Sequence, residues 1–263
     1  MNLLKSSPIG IFDSGVGGLS IVKAIQALMP NENLIYVADS LYAPYGTKPN
    51  DFIIERSSKI SEFLLQKNVK AIVVACNTAT ASSIKTLRDK HQIPIIGLEP
   101  ALKPAIKNSQ SNRVGVLATE STLKSEKYRL LKSSIADNIE LIEVASSLFV
   151  ELVESAKEID QATNLLIEKE LQPMINANID SLVLGCTHYP FLEKPIQKIM
   201  GKNTQLFESG LPVAEELKRK ISNNMNTNQF SGEITYYSSQ SDVADRIFNL
   251  LLNKNIVVNS LAI

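Results

Sequence analysis

The sequence predicts an α/β fold of two similar lobes, each a mostly parallel sheet flanked by helices, with an active site in the cleft between them. Three observations carry that expectation. Short β-branched runs alternate with amphipathic stretches along the chain. The runs are too continuously apolar to keep one face in water, which is the pattern of parallel sheets covered on both sides. The pattern also echoes itself. Ile9-Gly10-Ile11-Phe12 and Val114-Gly115-Val116-Leu117 each open a half with a glycine-punctuated strand, and each half later holds a strand ending in cysteine.

Taken in order, strands are expected at 9–13, 34–39, 71–75, 95–98, 114–118, 139–144, 181–184, 205–207 and 234–237. Leu19, Ile21, Val22, Ile25 and Leu28 recur at helical spacing after the first strand, and Ile53, Ile54, Ile60, Phe63 and Leu64 do so after the second. Pro100 and Pro104 mark a first crossing between lobes, and Gly210 with Pro212 marks a return. The first lobe is therefore expected to be discontinuous, 1–98 plus 211–263, and the second to span 99–210.

The chain has 263 residues, enough for a sizeable core, with 27 Lys+Arg against 27 Asp+Glu. A neutral balance points away from nucleic acid or an anionic membrane as partner. Met1 to Ser7 carries one lysine and no long apolar run, unlike a signal peptide, and no apolar run is long enough to span a bilayer. A cytoplasmic location is expected. There, two cysteines argue against a structural disulfide, and with only His91 and His188 beside them they fall short of a structural zinc site.

Those two cysteines carry the chemistry. Cys76 closes Ala71-Ile72-Val73-Val74-Ala75, and Cys186 closes Leu182-Val183-Leu184-Gly185. Most cysteines are small buried hydrophobes. These two differ: each sits at the polar end of its strand, before Asn77-Thr78 and Thr187-His188, where α/β sheets collect ligands and a helix start favours thiolate. Two thiols facing one carbon could add and remove a proton on opposite faces, which is racemisation or epimerisation without a cofactor.

Asp13-Ser14-Gly15-Val16-Gly17-Gly18 follows the first strand. Its glycines would let a ligand approach the backbone, and its N–H groups suit a carboxylate or phosphate. With Asp39 ending the next strand, the spacing also invites a dinucleotide reading, although the third glycine is missing. A plain tight turn is the bland alternative. The turn-rich segment Asp39 to Thr47 reads either as an ordinary loop packed by Tyr42 and Tyr45 or as a substrate-lining loop. His188 is placed to tune Cys186 or to be a structural histidine. His91, between Lys90 and Gln92, reads as solvent surface.

At these residues the sequence resembles the glutamate racemases of the aspartate/glutamate racemase superfamily. Asp13-Ser14-Gly15-Val16-Gly17-Gly18, Pro44-Tyr45-Gly46-Thr47, Cys76-Asn77-Thr78-Ala79 and Cys186-Thr187-His188-Tyr189 match the family's motifs in order, over about Ile9 to Lys220. The resemblance implies L-/D-glutamate as substrate, no cofactor, and Cys76 and Cys186 as the two acid/bases. It implies substrate contacts at Asp13, Ser14, Tyr45, Gly46, Asn77, Thr78, Thr187 and His188. It further implies that Asp13 assists Cys76 and that His188, with Glu154, assists Cys186. The segment Ser146 to Glu154 departs from the family pattern, so that Glu151 competes with Glu154 for the auxiliary carboxylate. By the same resemblance the product would be D-glutamate for peptidoglycan. An aspartate racemase, a nucleotide-dependent oxidoreductase and a non-catalytic dicarboxylate-binding protein are the alternatives. A homodimer is left open.

Overall fold

A computed structural model describes residues 5–135, 138–227 and 230–263. The first four residues of the amino-terminal stretch, 1–4, lie outside them. Ten strands occur among the described residues: β1 Ile9–Asp13, β2 Leu34–Ala38, β3 Ala71–Val74, β4 Ile95–Gly97, β5 Arg113–Ala118, β6 Glu140–Ala145, β7 Ser181–Leu184, β8 Gln205–Phe207, β9 Ile234–Ser238 and β10 Val258–Ser260. They form two sheets. The first runs β10-β9-β2-β1-β3-β4 and the second β6-β5-β7-β8, with every pair parallel.

The central strands are buried along their whole length, in keeping with their largely apolar sequences. The expectation fails at β6, an edge strand whose Glu140, Glu143 and Ala145 are exposed. The helix Leu19–Leu28 buries Leu19, Ile21, Val22 and Ile25 and packs on the helix Gly210–Lys220. The chain thus leaves the first sheet after β4 and returns to it beyond β8. At the double crossing, Ser209 Oγ donates to the Glu99 carbonyl at 2.8 Å.

One apolar cluster runs through both sheets. It joins Ile9, Ile11 and Val16 to Phe149, Val150, Leu184 and Tyr189. The two halves are therefore packed on each other, and the carboxyl ends of β1, β3 and β7 meet at one place.

Candidate active site

Cys76 and Cys186 line a single small cavity between the sheets. Ser14, Tyr45, Gly46, Asn77 and Thr78 reach it from the first sheet, and Thr187 and His188 from the second. Asp13 and Glu154 stand behind this wall.

Cys76 follows β3 and caps the helix Asn77–Lys90, whose Ala79 N–H donates to the sulfur at 3.4 Å. Ser14 Oγ lies 3.6 Å from the same sulfur. A helix start alone would favour thiolate, but burial wins. It pushes the Cys76 thiol well above the ordinary range, the Asp13 charge adds to the push, and the Ala79 and Ser14 hydrogen bonds only partly offset it.

Cys186 has a different setting. The turn after β7 leads first into a short 3-10 segment, Tyr189–Leu192, and only then into the helix Glu193–Met200. Its partner is His188, with Nδ1 3.6 Å from the sulfur. On the other side of the ring, Nε2 lies 2.7 Å from Glu154 Oε1. Burial pushes His188 down, yet the hydrogen bonds and charges of Cys186 and Glu154 outweigh it and hold the imidazole well above its usual value. Glu154 is thus the carboxylate at the site. Glu151 is turned to Ser147 Oγ at 3.0 Å on the exposed side.

The glycine turn serves a purpose the sequence did not reveal. Three of its N–H groups are already used within the protein: Ser14 and Gly18 donate to the Asp13 carboxylate at 2.8 and 2.6 Å, and Val16 donates to Glu154 Oε1 at 2.8 Å. A Cβ at Gly15 would collide with the Glu154 carboxylate and one at Gly17 with the His188 ring. The missing side chains at these two positions let the other half of the molecule pack against them. Thr187 Oγ1 donates to Asp13 Oδ2 at 3.3 Å, and Ser20 Oγ donates to the Thr187 carbonyl at 2.9 Å. Asp13 has no hydrogen bond to Cys76. Its route is through Ser14 Oγ, 3.4 Å from Oδ1. Burial raises the Asp13 carboxyl, partly countered by the His188 charge and the Ser14 N–H.

The dinucleotide reading fails at Asp39. Its carboxylate is fully buried and accepts from Tyr45 Oη at 2.6 Å and from Arg56 Nε and Nη2 at 2.9 and 2.8 Å. None of it is left for a ribose. Tyr45 therefore spends its hydroxyl on Asp39 and offers the cavity its ring and backbone. His91 is likewise not plain surface, since its Nε2 is shut away from solvent without a hydrogen-bond partner.

Asn77 Oδ1 is buried at the cavity with no hydrogen-bond partner in the protein, an acceptor suited to an ammonium group. Three lining residues carry no marked signal in the sequence: Thr119, Thr122 and Val150. Thr119 Oγ1 lies 3.1 Å from Thr78 Oγ1 and 2.9 Å from Thr122 Oγ1, a chain of hydroxyls across the cleft. The strand echo could have found it, because aligning Ile9-Gly10-Ile11-Phe12 with Val114-Gly115-Val116-Leu117 sets Thr119 opposite Ser14. Among the described residues no group of three or more His, Cys, Asp or Glu is arranged to hold a metal ion.

Comparison with known proteins agrees with this geometry. The profile described as Asp/Glu/Hydantoin racemase matches residues 19–214. The sequence is 48% identical over 214 residues to a glutamate racemase from Methylococcus capsulatus, covering 81% of this chain and 79% of that one. The fold is similar to a crystal structure of a glutamate racemase isoform from Bacillus anthracis, with a TM-score of 0.90, 30% identity and 98% of both chains covered. It is similar also to that of the Francisella tularensis glutamate racemase in complex with D-glutamate, with a TM-score of 0.85, 30% identity and 98% of both chains covered.

Proposed function

The chain belongs to the Asp/Glu/Hydantoin racemase family, and on that premise we propose that it interconverts L- and D-glutamate by moving a proton between two thiols, with no cofactor. The observation that carries the reading is the single cavity lined by two cysteines with opposed surroundings. Cys76 is held as a thiol by burial and the Asp13 charge, while Cys186 stands beside an imidazole held protonated by Glu154.

The α-proton of an amino acid is hard to remove because the charge develops beside a carboxylate. Many enzymes meet this with pyridoxal phosphate. Here the work falls to fixed dipoles. Ser14, Asn77, Thr78 and Thr187 hold the carboxylates and the ammonium, and a closed, dry cleft strengthens each contact. With L-glutamate, the Cys186 thiolate takes the Cα proton: the C–H bond breaks and an S–H bond forms. The Cys76 thiol then gives its proton to the opposite face, leaving D-glutamate and a Cys76 thiolate. With D-glutamate the roles reverse. His188 and Glu154 assist at Cys186, and Asp13 assists at Cys76 through Ser14.

The two lobes of the mechanism are residues 1–98 with 211–263 and residues 99–210. Among the described residues no helix is long and apolar enough to cross a membrane. A cytoplasmic enzyme supplying D-glutamate to peptidoglycan is the role that fits the relatives' activity. The test is incubation with L-glutamate in heavy water, following circular dichroism and α-deuterium together. Ellipticity should decay to zero as deuterium enters the α-position. Turnover that appears only when pyridoxal phosphate or a nicotinamide is added refutes the reading.

A further inference from the structure

We propose that Asp39 and Arg56 are positioning residues that hold the turn Pro44–Gly46 as a wall of the substrate cavity and so set the affinity for glutamate. This rests on the cavity being the glutamate site. Neither residue lines that cavity, so both would act through Tyr45.

The Asp39–Arg56 pair is enclosed, with side-chain exposures of 0% and 6%. Asp39 Oδ2 accepts from both Tyr45 Oη and Arg56 Nε, and Oδ1 accepts from Arg56 Nη2. The guanidinium also lies over the Tyr42 ring, 4.5 Å from its centroid, and Nη1 donates to the Ile263 carbonyl at 3.1 Å. One buried fork thus grips the loop on both sides of Pro44, through Tyr42 and through Tyr45. Burial, and then the Asp39 charge and hydrogen bond, push the Tyr45 hydroxyl far above its usual range. It therefore stays a donor at every working pH.

A buried ion pair contributes little net stability, because desolvating both charges offsets their attraction. What it does supply is geometry: the planar fork accepts one arrangement of its carboxylate. That geometry matters here because the turn faces Thr119 across the cleft. A Cβ at Gly46 would stand in ordinary van der Waals contact with Thr119, 3.5 Å from its Cβ, so a displacement of the turn changes the width of the cavity. Tyr45 and Gly46 meet substrate alike in the ground state and the transition state. Loosening them removes uniform binding and leaves the proton transfers untouched.

The experiment compares Tyr45→Phe, Arg56→Lys and the double variant with the wild type, measuring KM and kcat in both directions, the primary isotope effect with α-deuterated glutamate, and thermal melting. Tyr45→Phe removes one oxygen from a residue whose ring stays in place. Each single variant should raise KM about two- to tenfold, the range for one buried hydrogen bond. Its kcat should stay within about twofold and its isotope effect at the wild-type value. Because both donors act on Asp39 Oδ2, the double variant should be no worse than the poorer single one. Wild-type turnover of glutamate tests the functional reading by itself, and the ratio of variant to wild type tests the turn. KM at the wild-type value in folded Tyr45→Phe overturns the proposal, as does a fall in kcat at constant KM or a double variant equal to the product of the singles. Should Arg56→Lys fail to fold, Tyr45→Phe decides alone.

Discussion

Replacing Glu154 by Gln isolates one charge at the site. Oε1 accepts both the Val16 N–H at 2.8 Å and the His188 ring N–H at 2.7 Å, and an amide oxygen can occupy the same place. The packing against Gly15 is kept and the negative charge is lost. The His188 side chain is 3% exposed and that of Glu154 20%, so solvent screens the pair only weakly. A hydrogen bond to a charged partner contributes roughly 1.5–3 kcal/mol, which corresponds to a loss of about ten- to 150-fold in the proton transfer at Cys186. The sign of the pH effect also follows. Glu154 and Cys186 hold His188 above its ordinary value of 6.5, so the imidazolium persists to higher pH than in a free side chain. That raised value stabilises the folded state fully below about 6.5, and the benefit is lost as pH rises through the folded value. In the Gln variant the imidazolium is lost sooner, and the alkaline limb of kcat/KM moves to lower pH while the acid limb stays. The assay is the pH profile in both directions by circular dichroism. An unshifted alkaline limb, or a loss below about threefold, would show that the Glu154 charge does not sustain the His188 imidazolium.

Replacing either Cys76 or Cys186 by Ala should lower racemisation by several orders of magnitude, since each is the only base on its face of the carbon; retention of more than about a tenth of wild-type turnover, a loss under ~1.4 kcal/mol, would sink the two-thiol mechanism. Alkylation by iodoacetamide near neutral pH, mapped by mass spectrometry, should label Cys186 well before Cys76, because burial and Asp13 keep Cys76 protonated. Asp13→Asn should speed labelling of Cys76, and equal labelling of both thiols in the wild type would be the contrary result. Away from the site, Lys70 and Glu32 form an ion pair with side-chain exposures of 0% and 1%. Lys70→Met strands a buried carboxylate and should cost roughly 3–5 kcal/mol in urea titration, with Lys70→Met/Glu32→Leu recovering most of it; an unchanged single-variant midpoint contradicts this.

The fold is legible because burial writes itself into composition. β1, β2, β3 and β7 are buried on both faces and read as largely apolar runs. Elements that escape have weaker signatures. β10 is three residues, Val258-Asn259-Ser260, two of them exposed, and its place is set by pairing with β9 rather than by its own residues. The site divides the same way. Cys76 and Cys186 announce themselves by standing where apolar runs end. Thr119 does not, as one hydroxyl among many. The glycine turn misleads for a physical reason. A sequence shows that Gly15 and Gly17 admit a close approach, but the approaching groups, Glu154 and His188, come from the far half of the chain. Asp39 misleads likewise, since its partner Arg56 lies in the helix Asn50–Gln66 and nothing local pairs them.

The two thiols occupy comparable positions on echoing halves, yet their surroundings differ in charge, and the proposed two-base mechanism needs such an asymmetry. Each turnover requires one thiolate and one thiol together, so identical surroundings would spread the enzyme over idle forms with both protonated or neither. Around Cys76, burial and the Asp13 carboxylate disfavour the anion. Beside Cys186, the His188 ring lies 3.6 Å from the sulfur, and hydrogen bonds to Cys186 and Glu154 hold the imidazole above its usual value. The two sides are also linked: Thr187 Oγ1 donates to Asp13, and Glu154 accepts from Val16 in the turn that Asp13 organises. In the proposed reaction, once a proton has passed from Cys76 to Cys186 through substrate, the same network has to carry the reversed charge. Opposing influences meet on both sides: the Ala79 N–H and Ser14 work against burial at Cys76, and Cys186 and Glu154 outweigh burial at His188.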